Sequence, residues 1–288
     1  MTILSKIIAG TMNWGMWDKT LSTSEMITMM QVCIESNITT FDHADIYGGY
    51  TTEAEFGVAF NQSGIDRSKI QLITKCGIQH ITGNRPNKVK HYDYSKQYIL
   101  WSVENSLKNL HTDYVDVLLL HRPSPLMQSE EIADAVAILK KQGKIRDFGL
   151  SNFTPMQTDL IQKHTKVDFN QIAFSATNYS PMLDGSLDHM QLHDIRPMAW
   201  NPLGSYFREV SDQTRRLTIL LSDLAQKYNS IPETILLAWV LRHPADVIPV
   251  AGTVNVDRIR QLMKATEITL ETEDWFAIWS ESMGDKVP

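Results

Sequence analysis

Cysteine is scarce in this chain. Cys33 and Cys76 are the only two, too few and too unpatterned for a disulfide framework. No stretch reaches the ~18–20 apolar residues of a membrane-spanning helix, so no membrane partner is expected. Positive charge is not in excess either. The net charge is −6, which argues against a nucleic-acid partner, because phosphate binding needs a concentrated basic face. The opening "MTILSKIIAGTMNW" has one lysine and no sustained apolar run, so no secretory leader is expected and the expected location is cytoplasmic. Also missing is a G-x-G-x-x-G after any strand-like run, which excludes a Rossmann dinucleotide site. No composition shift or Pro/Ser-rich linker divides the 288 residues, so a single domain over 1–288 is expected.

What the chain does have is a rhythm. Short apolar runs lead into polar loops and then into amphipathic helices. The expected strands are Ile7–Thr11, Ile38–Asp42, Gln71–Lys75, Val115–Leu120, Ile145–Leu150, Phe169–Ile172, Arg196–Trp200 and Val247–Val250. Start and stop signals mark the helices between them. Ser22 precedes Glu25 and Thr52 precedes Glu55 at capping-box spacing, Thr154 precedes Pro155, and Ser129 and Gly143 bound another segment. The segment from Gln213 to Pro244 reads as two helices, one more than the pattern needs. Strand–helix alternation implies a parallel sheet with helices outside. Eight units in this length fit an α/β fold of the closed (β/α)₈ TIM-barrel type, whose active sites lie at the C-terminal ends of the strands.

Those strand ends carry an unusual set of side chains. "FDHADIYGGY" places Asp42 at the end of the second strand and Tyr47 five residues later; Lys75 ends the third, and His121 follows the fourth. A phenol alone, with a pKa of ~10, exchanges protons poorly near neutrality. A nearby ammonium stabilises the tyrosinate, and an aspartate can hold that ammonium in place. A histidine can donate to a substrate oxygen. Together the four make a proton donor aimed at a carbonyl oxygen on its way to an alkoxide, but none of them supplies a hydride. Each residue alone is more simply a cap, a rim-packing ring or a solvated strand end. His43 and Asp45 suggest a metal pair, yet the other strand ends lack further ligands, so no metal is expected in the reaction.

A nicotinamide cofactor could supply the hydride if it lay across the rim. Ser151 and Asn152 in "GLSNF", with Gln171 in "FNQIAF", can hold a carboxamide, and Trp200 offers a flat face. "NPLGSY" offers backbone N–H groups for a pyrophosphate. "AGTVNVDRIRQ" starts a helix with Thr253 at its N-terminus and Arg258 one turn on, an anion site by helix-end physics.

With these residues in view, the chain resembles the aldo-keto reductase family over essentially its whole length, from "AGTMNWG" to "LETEDWFAI". Within that family it is similar to a bacterial oxidoreductase branch carrying "DHADIYGGY" and "RPMAW". The family's D-x-A-x-x-Y-G signature is "DHADIYG" here, its lysine lies in "LITKCG", its histidine in "LLLHRP", its carboxamide pair in "GLSNF" and its glutamine in "NQI". Its Y-S-P-L-G becomes "WNPLG", so Trp200 replaces the usual stacking tyrosine. The resemblance implies NADP(H)-dependent reduction of aldehydes and ketones to alcohols, an oxidoreductase acting on CH–OH groups in reverse. Tyr47 would be the general acid, Lys75 and Asp42 would tune it, and His121 would orient a small-molecule carbonyl substrate. The cofactor would be held by Thr11, Met12, Asp42, Ser151, Asn152, Gln171, Trp200, Asn201, Leu203, Gly204, Gly252, Thr253 and Arg258. Gly252 and Leu262 depart from the basic residue and asparagine frequent in relatives, while Thr253 and Arg258 keep NADP the favoured cofactor over NAD.

The long connection "GIQHITGNRPNKVKHYDYS", residues 77–95, is of a length that is often functional. Tyr92, with Tyr94 and His91, is a candidate substrate contact, as are Trp14 and Trp17; Trp14→Ala is then expected to raise KM more than it lowers kcat. Two rivals remain at this point. One is a cofactor-holding regulatory barrel with little turnover; the other is an isomerase or lyase using Lys75 through a Schiff base. The oligomeric state is open, with a monomer favoured.

Overall fold

The computed structural model describes residues 1–83 and 85–287. Among the described residues ten strands form: β1 (Ile8–Gly10), β2 (Thr40–Asp42), β3 (Gln71–Cys76), β4 (Ile78–Gln79), β5 (His91–Tyr92), β6 (Val115–Leu120), β7 (Ile145–Ser151), β8 (Phe169–Ala173), β9 (Arg196–Trp200) and β10 (Ile248–Ala251). Eight of them close into a parallel barrel in the order β1-β10-β9-β8-β7-β6-β3-β2. These are the eight expected strands, two with the expected ends and six with ends shifted by one or two residues. The additional pair, β4 and β5, is an antiparallel hairpin within the 77–95 connection, joining Ile78 to Tyr92 and Gln79 to His91. Asn84 in that connection lies outside the described residues.

The helices are α1 (Thr23–Glu35), α2 (Thr52–Ser63), α3 (Lys96–Leu110), α4 (Ser129–Lys141), α5 (Pro155–Gln162), α6 (Ser186–Leu192), α7 (Asp212–Lys227), α8 (Pro232–Leu241), α9 (Val256–Leu262) and α10 (Thr272–Met283). Ser22 forms the expected capping box with Glu25, and Thr154, expected as a cap before Pro155, also forms a box with Gln157. Two caps fall elsewhere. Thr52 is already helical, with Thr51 at the cap and no side-chain capping bond, and Ser129 is the first helical residue after Gln128. The pair α7 and α8 is the expected extra helix. α10 locks onto α8 through Trp239 and Trp275, stacked at 5.0 Å with each indole N–H donating to the other residue's carbonyl. No helix among the described residues is long and apolar enough to cross a membrane.

The core has two layers set by the period of two along a strand. Ile8, Ile73, Val117, Leu119, Phe169, Met198, Ile248 and Val250 fill the barrel interior. Leu72, Leu118, Leu120, Phe148, Leu150 and Ile172 face the helices instead. Both faces are covered, which is why the strands read as near-continuous apolar runs. The same parity decides the site: Lys75 is two residues beyond Ile73, Gln171 two beyond Phe169, and Trp200 two beyond Met198. Each points inward at the rim, on top of the apolar plug.

Trp14 belongs to the outer layer. It is 1% exposed and packs on Phe41 and Phe56 at ring separations of 6.1 and 6.0 Å. The expectation that it walls the substrate site is therefore corrected. Trp14→Ala is expected to lower stability by about 3–5 kcal/mol with KM unchanged, which denaturant unfolding and steady-state kinetics would check.

Candidate active site

Lys75 is 0% exposed and sits at the centre of the rim. Its ammonium lies 2.7 Å from both Asp42 carboxylate oxygens, and it donates to the His43 carbonyl at 2.9 Å and to the Tyr47 hydroxyl at 3.1 Å. Gln171 also donates to Asp42, at 3.0 Å. Burial alone would lower the Lys75 pKa, but Asp42 and Tyr47 outweigh it and hold the ammonium above its ordinary value. A lysine held charged in this way is a poor amine nucleophile, which removes the support for a Schiff-base reading.

Tyr47 is placed by the turn that follows it. Residues Tyr47–Gly49 form a short 3₁₀ segment with Gly48 at φ 59°. A Cβ on Gly48 would meet Thr52 Oγ1 at 2.4 Å, so this turn needs glycine on both counts. Because Lys75 donates to the Tyr47 oxygen, the phenolic hydrogen is left over. Among the described residues it donates to nothing. Burial pushes the phenol above its usual value while Lys75 pulls it down. The sequence argument expects the ammonium to win. In the structure burial wins, so the phenol is protonated at neutral pH and able to donate.

His121 lies against Tyr47 with ring centroids 6.0 Å apart. Burial, Lys75, Arg122 and Lys90 drive its pKa well below the ordinary histidine value, so the ring is neutral. Its Nδ1 is buried with no partner. A neutral imidazole beside a protonated phenol can share a substrate oxygen with it.

Asp42, Tyr47 and His121 open into one cleft of about 1000 Å³, and Lys75 lies buried behind it, bonded to Asp42 and Tyr47. Of the residues expected to hold a cofactor, Met12, Asp42, Ser151, Asn152, Gln171, Trp200, Asn201, Leu203, Gly204, Gly252, Thr253 and Arg258 all line it. Thr11 does not. Its hydroxyl donates to the Asp42 carbonyl and meets His43 Nδ1 at 2.9 Å, so it braces the Asp42 strand end from behind. The carboxamide candidates form a chain. Trp200 Nε1 donates to Asn152 Oδ1 at 2.8 Å, Asn152 Nδ2 to Ser151 at 2.8 Å, and Ser151 to the Gln171 carbonyl at 3.1 Å. This chain fixes the orientation of each group and leaves the Gln171 amide oxygen free of hydrogen bonds among the described residues.

Two expectations about phosphate binding change. The amides of Gly204 and Ser205 are already bonded, to the Asn201 carbonyl and Thr177 Oγ1 at 2.9 Å each, so "NPLGSY" does not present an open array of N–H groups. Arg208 lines the cleft there instead, bonded to the Gly204 carbonyl at 2.7 Å. Helix α9 begins at Val256, with Asn255 rather than Thr253 as its cap. Sequence reasoning missed Arg208, and also Arg122 and Lys90, which line the cleft beside His121. Arg122 follows the histidine directly in "LLLHRP", a signal that could have found it.

The substrate candidates divide. Tyr92 lines the cleft, as does Trp17, whose ring stands 5.9 Å from that of Tyr47. Tyr94 is 5% exposed and donates to the Arg122 carbonyl beneath the hairpin, so it is structural. His91 is exposed and outside the cleft lining. Cys76 is buried. His43 packs on Phe56 at 4.3 Å, and Asp45 accepts from Ser102 at 3.1 Å and Tyr98 at 3.3 Å. Those contacts give both side chains partners within the fold.

Asp45 carries its own consequence. Burial and Glu53 push its carboxyl up to about 7 from 3.8. Between those values the folded state holds a proton that the unfolded chain releases. This contribution is therefore present at low pH and lost as pH rises through 7. Asp45→Asn should gain stability relative to the parent between about pH 5 and 8, by about 1–4 kcal/mol, in melts at both pH values. A pH-independent difference would contradict it.

The profile of the Aldo/keto reductase family matches residues 6–281. The "uncharacterized oxidoreductase YcsN" of Bacillus subtilis is 41% identical over 290 residues, 99% of this chain and 96% of its own. The 6-dehydroglucose reductase of Agrobacterium fabrum is 36% identical over 293 residues, 99% and 96% of the two chains. Among solved structures, a thermostable aldo-keto reductase in complex with the inhibitor epalrestat superposes with a TM-score of 0.84 at 26% identity, over 96% of this chain and 95% of that one. Likeness on this scale takes in the whole barrel and every strand end that bears on the cleft, and the chain belongs to the aldo/keto reductase family.

Proposed function

We propose that this protein is an NADPH-dependent reductase of aldehyde and ketone carbonyls, with Tyr47 as general acid. The observation that carries the reading is the Tyr47 hydroxyl, fixed by Lys75 and left with an undonated proton inside the cleft. Bound NADPH would supply the hydride to the carbonyl carbon. Ser151, Asn152 and Gln171 would hold its carboxamide, Trp200 would back its ring, and Arg208 and Arg258 would meet its phosphates. The free Gln171 acceptor and the two arginines fit such a ligand in donor type and charge.

Every remaining step belongs to the chain. The substrate oxygen sits between Tyr47 and the neutral His121, which polarise the carbonyl together. As negative charge grows on that oxygen, Tyr47 passes its proton to it. The buried Lys75 ammonium steadies the tyrosinate left behind, and Asp42 keeps that ammonium in place. Trp17 and Tyr92 line the same cleft and would offer apolar ring faces to the substrate. The carbohydrate-acting relative makes aldehydes of sugar type reasonable first candidates.

The test is a titration of intrinsic tryptophan fluorescence with NADPH and NADH. Trp200 and Trp17 both line the cleft, so saturable quenching is expected, tighter for NADPH. Arg258→Ala should weaken NADPH by about tenfold and NADH much less, since a charge-assisted contact to the additional phosphate is lost. Tighter NADH binding, or equal effects of Arg258→Ala on both, would overturn the cofactor assignment.

A further inference from the structure

Away from the cleft, in the outer helical layer, α5 and α6 bring three metal-ligating side chains together. His189 lies on α6 and His193 caps it four residues later, so the helical turn sets both on one side. Their ring centroids are 4.4 Å apart. Asp159 reaches across from α5, with Oδ1 at 2.7 Å from His189 Nε2 and 3.9 Å from His193 Nε2. All three donor atoms lie within 4.8 Å of one another, and no other group of this kind occurs among the described residues. We propose that Asp159, His189 and His193 form a binding site for a divalent transition-metal ion of the zinc, nickel or copper class, completed by water.

The donor set decides the class of ion. Two imidazole nitrogens with one carboxylate suit borderline ions, whereas magnesium and calcium ask for oxygen alone. The geometry is close to what is needed. Ligands at about 2.0–2.1 Å from a tetrahedral ion stand roughly 3.3 Å from each other, and the observed 2.7 and 3.9 Å bracket that value. Side-chain shifts of well under an ångström would bring both into place. Side-chain exposures of 12% for His189, 38% for His193 and 47% for Asp159 leave one flank open for water and metal entry. Beside it lies a depression of about 360 Å³ that His193 helps to line. None of the three residues lines the catalytic cleft, so the site acts on the fold. An ion held there ties α5 to α6 and stabilises the folded chain by mass action.

The experiment uses the full chain without an affinity tag. Zinc chloride titrated calorimetrically should give one saturable ion per chain, and the melting temperature should rise with zinc. His193→Gln and Asp159→Asn should each weaken binding by about tenfold or more, while the metal-free melting temperature of the exposed His193→Gln variant stays at the parent value. Cobalt(II) bound to the parent should show visible d–d absorption that His193→Gln abolishes. Absence of saturable zinc binding in the parent would overturn the site, as would equal zinc affinity in both variants and the parent.

Discussion

Tyr47→Phe is expected to reduce the rate of NADPH-dependent carbonyl reduction by about 10²–10⁴-fold while NADPH affinity changes by no more than about twofold. The substitution removes one oxygen and little volume. Lys75 loses one of its partners but keeps Asp42 and the His43 carbonyl, so the rim should hold its shape. Stopped assays and fluorescence titration on the same preparation separate the two effects. Because burial raises the Tyr47 pKa, the parent should also show a reduction rate with no loss through neutrality and a fall only in the alkaline range, where the acid is consumed. A variant that keeps most of its turnover would remove Tyr47 from the chemistry.

The second large effect belongs to Lys75. Lys75→Met should destabilise the fold by about 3–5 kcal/mol, because it strands the Asp42 carboxylate in a buried site. It should also remove most of the activity, since nothing then compensates a tyrosinate. The two losses have different origins and can be separated. Adding Asp42→Asn to Lys75→Met deletes the stranded charge, so the double variant should recover much of the stability and none of the turnover. Recovery of both together would mean that the pair acts only on the fold.

What could be read from the sequence follows from how local the controlling physics is. Asp42, Lys75, Gln171 and Trp200 were legible because a strand's period of two, once its core residues are known, fixes which side of the barrel each rim residue faces. Trp14 was not. It lies in a loop, where no period operates, and only the packing of Phe41 and Phe56 shows that its ring turns outward. Tyr94 was misread for a related reason. It is drawn beneath the hairpin by the pairing of residues 78–79 with 91–92, a contact between segments that carry no signal of each other. Gly77 permits this approach, since a Cβ there would fall 1.9 Å from the Tyr94 ring. The direction of the Tyr47 shift is a balance of burial against one charge. Sequence names the charge and is silent on the burial.

The most direct test follows the hydrogen itself. With NADPH carrying deuterium at both positions of nicotinamide C4 and 4-nitrobenzaldehyde in ordinary water, the alcohol should carry deuterium on the former carbonyl carbon and none on oxygen. Tyr47→Phe should give the same label far more slowly. Alcohol formed without deuterium at that carbon would contradict hydride transfer in this cleft.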